Sequence, residues 1–393
     1  MKKILITLIW LTTFISSATI AQEKSLFAGF AFTGAYENRE QLYPYSSMII
    51  NQKLSNGQSV LDAEFLRRLK SRPAEFSRIT TELGQLGKGE QISIAFAVNS
   101  EEVEYQNINN ELSVLIRIYA SVLAFDRETH SLTASYPFVV GTTIEVPHKL
   151  NRQELKKVFM KLYLTNEFGI NAFDSWIDRF SLSVITKKYS KYLQVKSVNF
   201  ENEALQTITS LENGSEKVLK NKIGNALDAS ISEATNVPII PSIAGEAVGS
   251  KMAYRFSNGS ALQLNLPQPD FEITFTIRAF RSVVAEEDQA KVAIFRTLAT
   301  VKIEQPDLNN VYLNEKIYST LYIRVPGDTR ITIDEWSQFN KSLLDLITGL
   351  AGQFNKVEKT WLEESASNGS DAFKSFENAS GLFASLRTTH QDR

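Results

Sequence analysis

Two stretches of the chain share one order of apolar and polar positions, in which a long hairpin is followed by a Val-Pro stop and a helix. Residues 112–126 and 132–146, rich in β-branched and aromatic side chains, predict one antiparallel hairpin. Residues 292–304 and 311–325 predict a second. Pro147 and Pro326 end them, because proline has no backbone N–H to donate to a sheet. We therefore expect two sheets of similar construction.

Helical spacing flanks both hairpins. Residues 60–86 have apolar positions three and four apart, with a break at Pro73, and residues 174–192 and 204–234 predict further helices. Asn151 and Glu154 predict a capping box at the helix after the first hairpin, and Thr332 and Glu335 predict one after the second. The helix-forming apolar positions after these caps are Leu155, Val158, Phe159 and Leu162, then Trp336, Phe339, Leu343, Leu344, Ile347 and Leu350.

The two hairpins align at one constant shift in residue number, which takes Arg117 to Arg296 and Pro147 to Pro326. We call this shift the repeat offset. Few of the aligned positions are identical, but the order of elements is shared, and this leads us to the hypothesis of an internal duplication. The alternative is two unrelated α+β domains that each use a hairpin followed by a helix.

These elements predict an α+β protein of two domains, each a mixed or antiparallel sheet with a long hairpin and helices packed on one face. The predicted boundaries are 1–21 for a signal peptide, 22–200 and 201–356 for the two domains, and 357–393 for a polar, flexible C-terminal tail. Five apolar residues of that tail would alternatively form an amphipathic helix that docks on the body: Phe373, Phe376, Leu382, Phe383 and Leu386.

The first residues have the order of a secretory signal. Lys2 and Lys3 precede an apolar run over residues 4–15, and mostly small residues follow over 16–21. We expect cleavage after Ala21 or Ala18, with an uncleaved anchor as the alternative. A short lysine-rich start together with no cysteine predicts a bacterial exported protein, periplasmic in a Gram-negative cell or else secreted. A lipid anchor would need a cysteine.

Composition narrows the classes of partner. The chain has 42 basic and 44 acidic residues, and removal of residues 1–21 with their two lysines moves the net charge from −2 to −4. No basic tract is present, so nucleic acid is not expected as a partner. Hydrophobic content of 43% is ample for packed cores, and no stretch after the signal is apolar enough to span a bilayer.

No motif of catalysis or cofactor binding stands out, and we predict no cofactor and no metal site. The histidines, His130, His148 and His390, lack zinc-ligand spacing, and the glycine-rich segment 84–89 lacks the ending of a phosphate loop. Acidic runs at 101–104 and 286–288 do not follow the spacing of a calcium loop, and we expect them to be solvated. The paired carboxylates of a hydrolase can be far apart in sequence, so no spacing in the chain identifies or excludes them.

One aromatic pair remains as a candidate site. Tyr43 and Tyr45 flank Pro44 in a predicted loop, and exposed tyrosines beside proline are good recognition anchors. The alternative is a rigid turn packed on the body.

The sequence therefore predicts an exported, non-enzymatic binding or assembly protein of the bacterial envelope, with an envelope protein as its partner. Its oligomeric state is left open. The alternatives are an envelope hydrolase that uses two carboxylates facing each other across a deep pocket, one with a raised pKa, and a small-ligand receptor with a cleft between the domains.

Overall fold

The computed structural model describes residues 24–33, 39–82, 91–108, 111–186, 191–211, 215–241, 251–256, 261–287, 290–326 and 333–388. The predicted signal segment, the glycine-rich segment 84–89, Thr332 and His390 lie outside these residues.

The first half of the chain contains the first predicted hairpin and most of the predicted helices. Its elements are β1 (Ser25–Thr33), α1 (Arg39–Leu42), α2 (Pro44–Ile50), α3 (Val60–Lys70), α4 (Pro73–Ser77), β2 (Ile79–Thr80), β3 (Ile92–Ile108), β4 (Glu111–Asp126), β5 (Ser131–Glu145), α5 (Arg152–Leu164) and α6 (Ala172–Leu182). Pro73 separates α3 from α4 as predicted. The capping box of α5 is present, since Asn151 accepts hydrogen bonds from the N–H groups of Gln153 and Glu154, and Glu154 accepts from Asn151.

The second half follows a similar order. Its elements are β6 (Leu193–Phe200), α7 (Asn202–Leu211), α8 (Glu216–Thr235), β7 (Ile239–Ile240), β8 (Lys251–Phe256), β9 (Ala261–Asn265), β10 (Phe271–Glu287), β11 (Ala290–Gln305), β12 (Asn310–Pro326), α9 (Glu335–Asn355), α10 (Lys359–Ser365) and α11 (Phe373–Thr388). The side chain that caps α9 belongs to Asp334, which accepts from the N–H of Ser337, and Glu335 is the first residue of the helix.

Two mixed sheets organise these elements, which confirms the α+β class. The first sheet has the order β2-β1-β3-β4-β5-β9-β8, and its last strand also pairs with β1, so the sheet closes on itself. The second has the order β12-β11-β10-β6-β7. In each sheet, three consecutive antiparallel strands continue into two parallel ones.

The hydrogen-bond register of one sheet recurs in the other. Ser93 pairs with Phe125 in the first sheet, and Glu272 pairs with Glu304 in the second, so the repeat offset carries one pair onto the other. The β-bulge between Val98 and Ser100 recurs between Ile277 and Ala279 at the same offset.

The turns and the first strands recur as well. The turns after β4 and β11 contain His130 and Asn309, which the repeat offset relates, with φ of 52° and 49°. Leu26 in β1 and Gln194 in β6 pair with Ser93 and Glu272, but a smaller shift in residue number relates these first strands. The change of shift shows that the helical connections differ in length while the strands and their pairings match. We call the two units the first repeat and the second repeat.

Helices cover the two sheets unequally. In the first repeat, α3, α5 and α6 pack on one face, the inner face, against a core that includes Phe30, Phe96 and Trp176. Helices α8 and α9 of the second repeat pack on the inner face of the second sheet. They also contact the opposite, outer face of the first sheet. Helix α8 is therefore buried on more than one side.

The C-terminal segment is not the polar, flexible tail that we expected. Residues 359–365 and 373–388 form α10 and α11, and Phe376 and Phe383 are fully buried. Phe383 stacks on Phe354 of α9 with ring centroids 4.7 Å apart. The alternative expectation, an amphipathic helix docked on the body, describes this segment, because its apolar residues complete the core of the second repeat.

One hairpin crosses the predicted domain boundary. Strands β8 and β9 lie within residues 201–356, but they are hydrogen-bonded to β1 and β5 of the first sheet. A division of the chain at residue 200 would separate this hairpin from the sheet that it completes.

Candidate functional site

Tyr43 and Tyr45 do not form an exposed loop. Tyr43 is fully buried and stacks on Phe32, with ring centroids 4.5 Å apart, and Tyr45 is half-buried and stacks on Phe159 at 4.6 Å. Pro44 begins α2, because its fixed φ suits the first helical position. The alternative of a rigid turn packed on the body thus describes this segment. That either tyrosine contacts a partner stays a prediction, but the exposed loop on which we based it is not present.

The start of α2 is held by a buried carboxylate. Glu101 accepts hydrogen bonds from the backbone N–H groups of Tyr45 and Ser46, both at 2.7 Å, and from the Ser46 hydroxyl. These N–H groups lie in the first turn of the helix, where a carboxylate satisfies donors that have no helical partner. Burial raises the pKa of Glu101 to about 7, although these hydrogen bonds oppose the rise.

The other side of β3 contains a second group of buried polar residues. The bulge at Asn99 shifts the alternation of side chains, so Glu102 and Glu104 lie on the outer face of the first sheet. Arg117 Nη1 lies 3.2 Å from Glu102 Oε2 and donates to the Tyr119 hydroxyl at 3.1 Å. That hydroxyl donates to Glu102 Oε2 at 3.4 Å. We call Glu102, Glu104, Arg117 and Tyr119 the junction cluster, since α8 and α9 lie over it.

Among the described residues, Glu104 is the charged member of the junction cluster that makes no salt bridge. The Asn340 side-chain amide, from α9, donates to its Oε2, whereas Oε1 is buried and has no hydrogen-bond partner among the described residues. Burial, and to a lesser extent the negative charge of Glu102, raises the pKa of Glu104 to about 7. A carboxyl in this position gains from a proton or from a cationic donor, because its ionised form is poorly compensated.

Two cavities meet at Glu104. The first, of about 260 Å³, lies between β3, β4 and β5 on one side and α8 and α9 on the other, and its charged walls are Glu104, Arg117, Lys341 and Asp345. The second, of about 230 Å³, is bounded by β3, α8 and the start of α9, and it includes Glu102, Lys222 and Asn340. Both lie between the first sheet and the helices of the second repeat.

The equivalent face of the second sheet is exposed at some positions and partly exposed at others, among them Ile294, Leu298 and Tyr318. The repeat offset relates Glu104, Leu115 and Arg117 to Val283, Ile294 and Arg296. Val283, Ile294 and Tyr322 pair across three adjacent strands, and Val283 and Tyr322 are 56% and 63% exposed. Arg296 is exposed, lies over the Tyr318 ring at 4.9 Å and donates to Thr320 at 2.9 Å. We call Val283, Ile294, Arg296, Leu298, Tyr318 and Tyr322 the open face.

The acidic run at 101–104 is the feature that sequence reasoning missed. We expected it to be solvated, yet Glu101 and Glu102 are 7% and 6% exposed. The repeat offset was an available signal, because it aligns Arg117 in the first sheet with Arg296 in the second. The bulge that places Glu102 and Glu104 on the outer face leaves no trace in the pattern of apolar residues.

The hydrolase alternative keeps one candidate pair of carboxylates. Glu104 has a raised pKa, and Asp345 of α9 lines the same cavity, whereas Glu102 precedes Glu104 on the same strand and is paired with Arg117. Among the described residues, no group of three or more His, Asp or Glu side chains is placed to hold a metal ion. His130 lies in a turn, and His148 is exposed with Nε2 3.5 Å from Glu154.

Comparisons with known proteins found only slight structural similarities. No protein-family model matches the chain, and no curated protein matches it. A minor lipoprotein from Acinetobacter baumannii is 13% identical over 42% of this chain and 86% of its own, with a TM-score of 0.20. An Ntf2-like protein involved in plasmid conjugation is 11% identical over 73% of this chain and 92% of its own, with a TM-score of 0.12. Similarities this slight support no argument about function. Within the described ranges, no helix has the length and apolar character needed to cross a bilayer.

Proposed function

We propose that this chain is an exported, non-enzymatic binding or assembly protein of the bacterial envelope, and that it holds an amphipathic helix of a protein partner on the open face. The observation that carries the proposal is the unequal covering of two equivalent sheet faces. The outer face of the first sheet lies under α8 and α9, whereas on the second sheet Val283 and Arg296, the equivalents of Glu104 and Arg117, are exposed.

The repeat indicates what kind of element fits the open face. On the first sheet, Tyr119 and Val139 pack against the core that contains α8 and α9. Their equivalents are Leu298 and Tyr318. Because the two repeats share the register and the bulge, we infer that an element of the same kind suits both outer faces. A helix is therefore the expected occupant.

The chemistry of the open face defines the partner further. Val283, Ile294 and Tyr322 form an apolar row across three strands, suited to the apolar side of a helix. Arg296 adds a charged group beside Tyr318. We expect the partner helix to place a carboxylate near this guanidinium, because arginine binds carboxylates through paired N–H donors.

Site-specific crosslinking tests this surface. A photoreactive amino acid in place of Tyr322 should crosslink to one envelope protein, through a segment that is helical when bound. The same amino acid at Leu308, which is 68% exposed in the turn at the other end of the sheet, is the matched control and should not. A synthetic peptide of the crosslinked segment should bind the purified chain. Its affinity should fall about tenfold or more with Val283→Ser and Tyr322→Ser combined, a loss of roughly 1.4 kcal/mol.

Three outcomes would contradict the proposal. Equal crosslinking from positions 308 and 322 would indicate nonspecific contacts. Crosslinking of Tyr322 only to a second copy of the chain would make the open face a self-association surface. Binding of the peptide with unchanged affinity to the double variant would place the partner elsewhere.

Export has its own test. Mass spectrometry of the chain recovered from the envelope fraction should find a mature N-terminus at Gln22, or at Thr19 if cleavage follows Ala18. A chain that retains Met1 would support the uncleaved anchor. Hydrolysis of an envelope glycan or peptide by the pure protein, lost in Glu104→Gln, would favour the hydrolase instead.

A further inference from the structure

We propose that the cavity between the first sheet and α8 and α9 is a binding site for a short aliphatic amine, whose ammonium group is held by Glu104. This inference goes beyond the proposed docking function, because it concerns a different surface and a different class of ligand. It does not depend on whether the open face binds a helix.

The basic groups around the first cavity do not fully compensate its two carboxylates. Arg117 is engaged with Glu102 and Tyr119. Lys341 lies one turn from Asp345 on α9 and lowers the pKa of that aspartate, but burial has the larger effect and raises it. Arg117 and Lys222 lower the pKa of Glu104, but burial raises it by more. A cationic ligand would therefore meet an uncompensated negative charge.

The hydrogen bonding of Glu104 points to a donor. Its Oε2 accepts from Asn340, and its Oε1 accepts from no group in the described residues. A buried acceptor without a partner costs about 1–3 kcal/mol, and more when it is charged. An ammonium group supplies three N–H donors and a positive charge together. An ammonium group would therefore supply both the hydrogen-bond donor and the positive charge that Glu104 lacks.

The remaining walls suit an aliphatic chain with polar ends. Leu115, Val139 and Leu344 offer apolar contacts, and Ser230 and Thr348 offer hydroxyl oxygens to the other N–H groups. A volume of about 260 Å³ is too small for a peptide and sufficient for a short amine. Asp345 is a second acidic group on the same cavity, so a diamine is the preferred form of this ligand.

Binding should be coupled to release of a proton. The pKa of Glu104 is raised to about 7, so part of the population is protonated near neutral pH. An ammonium ion binds the ionised form, which lowers that pKa and expels the proton. The charged groups that face Glu104 are Glu102 from β3, Arg117 from β4, Lys222 from α8, and Lys341 and Asp345 from α9. Lys149 and Asp334 border the second cavity.

Calorimetric titration of the full-length mature chain with 1,4-diaminobutane tests the proposal. Affinity should be about tenfold higher near pH 8 than near pH 6, because only the ionised carboxyl binds. Repetition in two buffers of different ionisation enthalpy should reveal proton release near pH 6. n-Butylamine should bind more weakly than the diamine, and butyrate should not bind.

Two variants identify the carboxylate. Glu104→Gln should abolish binding of the diamine, while Glu233→Gln should retain it. Glu233 is the matched control, since it is a carboxyl on α8 that also has a raised pKa, accepts from the Val139 N–H and is not among the lining residues of either cavity. If Glu104→Gln fails to fold, the proton release of the wild-type chain tests the same carboxylate without a substitution.

The results that would overturn the inference are equally definite. Absence of binding heat and of proton release with the diamine would do so, as would equal affinity of the wild type and Glu104→Gln. Binding of butyrate in preference to the amines would show an anion site at Arg117 or Lys341 instead. None of these results bears on crosslinking at Tyr322, so the two proposals fail separately.

Discussion

Arg117 and Arg296 occupy equivalent positions in the two sheets, but one is buried and the other is exposed. Arg117 is 9% exposed and lies 3.2 Å from the Glu102 carboxylate. Arg296 is exposed, with its guanidinium 4.9 Å from the centre of the Tyr318 ring. The difference comes from α8 and α9, which lie over the first of these faces. An arginine at the same point of the repeated sheet is therefore part of a buried ion pair in the first sheet and lies on an exposed surface in the second.

Replacement of these two arginines should separate the roles. Arg117→Met leaves Glu102 buried without its counter-charge, and we expect the free energy of unfolding to fall by about 3 kcal/mol. Arg296→Met should change it by less than about 0.5 kcal/mol, because the site is exposed. Urea denaturation of both variants measures the difference. Equal effects would show that the junction cluster is not a buried ion pair.

Tyr43 should contribute to stability and not to recognition. Its ring is fully buried against Phe32, so Tyr43→Ala should cost about 3 kcal/mol or more in the free energy of unfolding. Tyr322→Ala is the comparison, since that ring is 63% exposed, and it should leave stability within about 0.5 kcal/mol. Thermal and urea unfolding of both variants measure the two losses of stability. A larger loss for Tyr322→Ala than for Tyr43→Ala would show that Tyr43 is not buried.

The Glu233 carboxyl should make stability depend on pH. Burial raises its pKa in the folded chain to about 7, from an ordinary value of 4.5. Below about pH 4.5 both states hold the proton, and between 4.5 and 7 only the folded state does, so the contribution of this group to stability falls as the pH rises through that window. Above about pH 7 the loss is complete. Urea midpoints across this range should show Glu233→Gln gaining stability relative to the wild type.

A carboxyl of the opposite kind serves as the control for Glu233. Hydrogen bonding to Arg281 lowers the pKa of Glu203 below its ordinary value of 4.5. Its contribution is present above that ordinary value and is lost as the pH falls. Glu203→Gln should therefore lose stability relative to the wild type above pH 4.5, and the difference should shrink on acidification. Parallel pH trends for the two variants would contradict both assignments.

Two glycines of α9 should respond in opposite directions to alanine. Gly352 has open space at its Cβ position, so Gly352→Ala should stabilise the chain by up to about 1 kcal/mol through helix propensity. At Gly349 a Cβ would overlap the indole of Trp361 on α10, so Gly349→Ala should displace that ring and destabilise the chain. Unfolding midpoints, with tryptophan fluorescence to follow Trp361, provide the measurement. Stabilisation by both alanines would show that α10 does not pack against this glycine.

Much of the local structure could be predicted from the sequence. The hairpins at residues 112–146 and 292–325, the helix break at Pro73 and the cap at Asn151 follow from periodicity, proline geometry and side-chain hydrogen bonding within a few residues. The repeat offset was also visible, because Arg117 and Arg296 lie in strands of the same length and register. These features depend on interactions between neighbours in the sequence or between hairpin partners.

The prediction failed where long-range packing decides exposure. Tyr43 and the C-terminal segment have the composition of surface elements, yet the first is enclosed by Phe32 and the second completes a core with Phe354. Composition describes what a segment can expose, and only the arrangement of the other elements decides whether something covers it.

By itself the sequence determined the strands, the helices, their caps and the repeat that relates the two sheets. Only the tertiary structure decided that α8 and α9 cover one outer face and leave its equivalent open, and that Glu104 lies between two cavities. The physical reason is the range of the interactions. Hydrogen bonds of helices and hairpins form between residues whose spacing is written in the chain, whereas burial of a carboxylate depends on surfaces brought together from distant parts of it, as the contact of Glu104 with Asn340 shows.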